Sequence, residues 1–85
     1  MDEGKEQAEI AEIKENIIYQ LLAHRRLGGL SIPHVRQAVD TYGLSSDAKV
    51  FGQAINELIR EKMVDIMIAD TQTYLWLPPA EKNPQ

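Results

Sequence analysis

The chain has 85 residues and a formal net charge of −4, which is enough for one domain near the lower limit of a single apolar core and too little for an additional catalytic one. With 44% apolar and 26% charged residues and no cysteine, the composition excludes wholesale disorder, disulfides, thiolate metal sites and a cysteine nucleophile. No apolar run approaches the ~18 residues of a membrane span, and the acidic N-terminus is unlike a signal peptide, so a cytoplasmic protein without membrane contact is expected.

The charge is unevenly placed. Residues 1–15 hold six acids (Asp2, Glu3, Glu6, Glu9, Glu12, Glu15) against Lys5 and Lys14, while the remainder carries seven acids and seven bases and is neutral. A negative total opposes binding to nucleic acid, whose affinity comes largely from phosphate neutralisation. A neutral remainder leaves such binding permitted. Glu6, Glu9 and Glu12 suit the N-terminal, positive end of a helix dipole, so they need no partner to explain them.

In chain order, Ile10, Ile13, Ile17 and Leu21, with Ile18 and Leu22 beside them, lay an apolar stripe along a first helix from Lys5 to Arg25. Gly28-Gly29 ends it, with His24, Arg25 and Arg26 at its negative pole. Leu30 to Pro33 reads as an extended link leading into a second helix, Ile32 to Thr41, with Ser31 as its cap and Pro33 in its first turn. Ile32, Val35, Ala38, Val39 and Tyr42 share its apolar face, and Gly43 terminates it. A third helix, Asp47 to Lys62, capped by Ser45 or Ser46, carries Phe51, Ala54, Ile55 and Leu58 on one side. The period then changes to two: Val64, Ile66 and Ile68 alternate with Asp65, Met67 and Ala69, a polar turn follows at residues 70–73, and Tyr74 to Leu77 forms a second strand stopped by Pro78-Pro79. The expected fold class is α+β, a three-helix core followed by a two-stranded hairpin. Residues 1–9 form an acidic extension of the first helix, 10–79 the domain, and 80–85 a flexible tail.

From Glu12 to Pro79 the sequence resembles the winged helix-turn-helix superfamily. The resemblance rests on Gly29-Leu30-Ser31-Ile32-Pro33, on the turn Tyr42-Gly43-Leu44-Ser45, on Ala54 through Val64 leading from helix three into the wing, and on Tyr74-Leu75-Trp76-Leu77-Pro78 closing it. It implies that helix three enters the major groove of double-stranded DNA. On a helical wheel Lys49, Gln53, Asn56 and Arg60, spaced four, three and four, fall in one narrow strip with Ser46 and Gly52 beside it and Glu57 and Glu61 on its flank. Gln and Asn suit adenine and Arg and Lys suit guanine, while a glycine lets the backbone come close. Any exposed helix carries such residues, and it is the resemblance that favours base reading. Arg25, Arg26 and Arg36, near helix ends, are phosphate candidates.

The wing tip, Ala69 to Thr73, has an acid and no base, so it adds little to DNA affinity. This counts against DNA, and binding would then need a homodimer whose two half-sites combine, with the long N-terminal helix or Met67 and Trp76 of the hairpin as the dimer element. With the resemblance, a sequence-specific transcriptional regulator, nucleoid-associated or nuclear according to the host, is the leading expectation. The alternative is a peptide-binding adaptor without direct DNA contact, as some winged-helix modules are, using Met67 and Trp76 of the hairpin. Trp76 could equally cap the core. Catalysis has little support: His24 and His34 sit on different helices, Asp40 and Asp47 flank a turn, and no phosphate loop follows Gly28-Gly29. No cofactor or metal is expected.

Overall fold

The structure, a computed structural model, describes residues 2–24, 28–44 and 47–78. Its elements run α1 (Asp2–Ala23), β1 (Gly29–Ser31), α2 (Ile32–Thr41), α3 (Ala48–Arg60), β2 (Asp65–Ala69) and β3 (Gln72–Trp76). It is an α+β fold in which three helices enclose the core and a small antiparallel sheet closes one side.

The core follows from helical spacing. Ile10, Ile13, Ile17 and Leu21 of α1 are buried together with Val35 and Val39 of α2 and with Val50, Phe51, Ala54, Ile55 and Leu58 of α3. Two residues leave the expected pattern. Leu22 and Tyr42, placed on apolar faces by spacing, are 51% and 55% exposed. Tyr42, the C-cap of α2, instead meets Tyr19 edge-on, with ring centroids 6.3 Å apart. Gln20 occupies a buried position on α1, where its Nε2 donates to Asn16 Oδ1 (2.8 Å) and to the Val35 carbonyl (3.4 Å) and ties α1 to α2.

Helix ends show why α2 and α3 stop. Ser31 caps α2 by accepting from the His34 N–H at 3.4 Å, and Pro33 needs no hydrogen bond in the first turn. At its C-terminus Leu44 N–H donates to the Val39 carbonyl and Gly43 N–H to that of Asp40, a Schellman closure with Gly43 at φ 80. The end of α3 repeats this closure, with Met63 donating to Leu58 and Lys62 to Ile59, but the left-handed residue is Lys62, at φ 62. The cap of α3 is Asp47, whose carboxylate accepts from the Lys49 N–H at 2.8 Å. This corrects the expectation of Ser45 or Ser46, which lie outside the described residues. An aspartate there also places negative charge at the positive pole of the helix.

The sheet has three strands, not two, in the order β1-β3-β2. The extended link before α2 pairs with the hairpin: Gly29 lies opposite Trp76, Leu30 opposite Leu75 and Ser31 opposite Tyr74. A three-residue strand is too short to show a period of two, which is why the pattern hid it. The hairpin turn is also tighter than expected. Gln72 and Thr73 belong to β3, leaving Asp70 (φ 48) and Thr71 (φ 65) as a two-residue loop with both residues left-handed, the twist that flanking strands prefer. Residues 80–85, expected as a tail, lie outside the described residues.

The core stops short of β2. Leu30, Leu75 and Ile66 lie in one row across the sheet, but while Leu30 and Leu75 are buried, Ile66 is 46% and Ile68 71% exposed. The helices cover β1 and β3 and leave the outer strand uncovered.

Candidate nucleic-acid interface

Helix α3 divides cleanly into two sides. Val50, Phe51, Ala54, Ile55 and Leu58 face the core, and Lys49, Gln53, Asn56 and Arg60 are exposed on the opposite side, with Gly52 half-exposed among them. The four polar side chains thus share one water-facing strip. A Cβ built on Gly52 meets nothing within 4 Å, so packing within the monomer does not require a glycine there.

Glu57 of α3 and its C-cap residue Glu61 are drawn away from this strip. Lys14 Nζ lies 2.9 Å from Glu57 Oε1 and 3.0 Å from Glu61 Oε2, one ammonium bridging two carboxylates one helical turn apart. The hydrogen bond that Lys14 donates to Glu57, then that to Glu61, raises its pKa above the ordinary lysine value, against the opposing effect of burial. Sequence reasoning placed both glutamates on the flank of the strip but missed their partner. Lys14 sits between the buried Ile13 and Ile17 on α1, and that position beside the stripe was the signal that it would reach a facing helix.

Arg36 of α2 is exposed, and its guanidinium lies over the Phe51 ring, 5.8 Å from the centroid. This stacking sets a cation from α2 beside the first turn of α3. Of the remaining phosphate candidates, Arg25, Arg26 and Ser46 lie outside the described residues. The His24 and His34 rings meet at 6.3 Å, joining the end of α1 to the start of α2, and no group of three or more potential metal ligands occurs among the described residues. No described helix is long and apolar enough to cross a membrane.

On the hairpin, Met67 is 49% exposed and Trp76 half-buried. Trp76 lies against the Gly28-Gly29 link: a Cβ on Gly28 would come within 2.9 Å of its ring, and one on Gly29 within 3.1 Å. Its indole Nε1 is buried without a hydrogen-bond partner among the described residues. Met67 and Trp76 line a cavity of about 540 Å³ together with Ile59, Val64, Ile66 and Leu77.

No family model, curated protein or solved structure matches this chain.

Proposed function

We propose that the protein is a sequence-specific DNA-binding regulator of winged helix-turn-helix type, acting as a homodimer, and that α3 is its reading helix. The observation that carries this reading is the segregation on α3: Lys49, Gln53, Asn56 and Arg60 all point to solvent on one side, while Glu57 and the C-cap Glu61 are engaged by Lys14. Gln53 and Asn56 are suited to adenine and Lys49 and Arg60 to guanine or phosphate, each good base pairing contributing about 1–3 kcal/mol of discrimination. Arg36, held over Phe51, is placed for a backbone phosphate beside the start of α3. Arg25, Arg26 and Ser46 remain phosphate candidates from the sequence alone.

The test is selection from a random duplex pool followed by titration at several salt concentrations. Enrichment of a two-fold-related motif is expected, with half-sites about one turn (~34 Å) apart and affinity that falls as salt rises. Gln53→Ala should relax preference at one position, whereas Arg36→Ala should weaken all sequences alike. No enrichment and no salt dependence would remove the proposal.

A second reading, protein recognition through the hairpin, is favoured by one observation: Ile66, Met67 and Ile68 are consecutive and exposed beside a wing tip that offers DNA no base. It predicts saturable binding of a protein partner, which Trp76→Ala abolishes while the fold stays intact.

A further inference from the structure

We infer that β2 is a dimerisation strand, pairing antiparallel with β2 of a second copy about a two-fold axis at Met67 to make one continuous six-stranded sheet. The inference deepens the homodimer part of the proposed function and supplies its missing contact. It can nonetheless be tested without DNA.

In the order β1-β3-β2 the outer strand has one edge that pairs with no other strand among the described residues. In a two-residue hairpin the pair flanking the turn, here Ala69 and Gln72, exchanges hydrogen bonds, and alternation then turns the backbone groups of Met67 and Asp65 toward β3 and those of Ile66 and Ile68 outward. Outer strands of natural sheets are normally blunted by lysine, proline, a bulge or extreme shortness. β2 has no lysine, proline or bulge, and its one charge, Asp65, stands at its first position: its five residues, Asp-Ile-Met-Ile-Ala, pair with β3 without interruption. Every residue of the strand is exposed, including Ile66 (46%), Met67 (49%) and Ile68 (71%). An unprotected apolar edge of this kind is a template for another strand.

Three features favour a second copy as that strand. The apolar triplet is symmetric about Met67, so a two-fold there sets Ile66 opposite the partner's Ile68 and makes these the hydrogen-bonded pairs, the phase that the outward backbone groups require. The four isoleucines then lie side by side on the face that Leu30 and Leu75 already occupy, and the row that ends exposed at Ile66 continues into the partner. Charges do not oppose this register. Asp65 falls opposite Ala69, and the antiparallel arrangement brings the Asp70 end of each strand to the Lys62 end of the other. Finally, the association closes. The opposite edge of the sheet, β1, has only three residues and runs directly into α2, so pairing through β2 uses up the available edge and stops at two.

The experiment uses the full chain, which has no native cysteine. Met67→Cys places a thiol on the axis, at a pair whose Cα atoms lie about 4.5 Å apart, within disulfide reach. Mild oxidation should join this variant to itself quantitatively while Gln37→Cys, on exposed α2, stays unlinked. By sedimentation the wild type should be a dimer in the absence of DNA, and Ile68→Lys should raise the dissociation constant by at least about tenfold without altering the circular dichroism. If Ile68→Lys fails to fold, the cysteine variant alone decides. A wild type that is monomeric at high concentration overturns the inference and leaves the edge to a foreign strand, as does a dimer that leaves the Met67→Cys variant unlinked. A dimer that binds no DNA keeps the inference and removes the DNA reading, and a monomer that binds duplex one chain per site does the reverse.

Discussion

Gly52→Ala separates what α3 needs in order to fold from what it needs in order to bind. Gly52 lies within α3, its φ is not among the positive values of the chain, and a Cβ there meets nothing within 4 Å. Alanine therefore brings no clash and removes the entropy a helical glycine loses on folding, a gain of about 0.5–1 kcal/mol. For a domain of this size that is about 2–8 °C in melting temperature. Urea denaturation followed by circular dichroism should show a higher midpoint with unchanged slope, since no additional surface is exposed. The DNA reading predicts the opposite sign for binding. Gly52 stands among Gln53, Lys49 and Asn56 on the outer side, so a methyl group intrudes where backbone meets duplex, and an overpacking cost of about 1–3 kcal/mol weakens affinity roughly fivefold or more. A destabilised variant would refute the open surroundings of this position. A variant improved in both stability and affinity would show that the duplex does not touch Gly52.

Other positions yield equally direct outcomes. Gly29→Ala would set a Cβ 2.9 Å from the Leu75 carbonyl oxygen and 3.1 Å from the Trp76 ring; because the first is backbone within the β1–β3 ladder, a loss of about 1–3 kcal/mol by denaturant titration is expected. Thr71, β-branched at φ 65, is strained in the turn, so Thr71→Gly should raise stability by about 1 kcal/mol or more in the same assay. The Lys14 pKa is raised in the folded state by its hydrogen bonds to Glu57 and then Glu61, so its contribution is complete below the ordinary lysine value of ~10.4 and is lost as pH rises through the higher folded value. The stability difference between wild type and Lys14→Met should accordingly stay constant from neutral pH to about 10 and shrink above it.

The helical part of this fold was legible because its signals are redundant. In α2, spacing, the Ser31 cap, Pro33 and Gly43 all agree, and the observed bounds match the expected ones. The same redundancy places Phe51, Ala54, Ile55 and Leu58 inside and Lys49, Gln53, Asn56 and Arg60 outside, while Val50 is a buried residue the spacing did not single out. Legibility failed where a single long-range contact decides. β1 exists because Leu30 finds Leu75, 45 positions away, and no local pattern encodes that meeting. The alternation at residues 64–69 marked a strand correctly but implied a buried face that only Val64 has, because alternation records which side chains point together and not whether anything covers them. The interaction of Lys14 with Glu57 and Glu61 was hidden for the same reason: each partner reads locally as a solvated charge.

The electrostatics of the proposed interface bear on whether one copy suffices. Among the described residues, the outer strip of α3 and Arg36 supply three cations, Arg36, Lys49 and Arg60, all exposed, and a wing with Asp70 at its tip adds none; Arg25 and Arg26 would bring the candidates to five. At a slope of about −0.9 per neutralised phosphate, a single chain using all three on phosphates reaches a salt dependence of only about −3, and a pair about −5. Lys49 and Arg60 cannot serve bases and phosphates at once, so base reading lowers both figures. The six acids of residues 1–15 oppose the duplex further at low salt, where screening is weak, and less at physiological salt, where charges more than ~8 Å apart are largely screened. A single copy therefore offers few phosphate contacts, and a pair doubles them. Two copies joined through β2 would add their contacts without adding an ordering cost at each encounter, because each α3 passes into its β2 across only residues 61–64. The position of the reading helices would then be fixed by the same strand that makes the dimer.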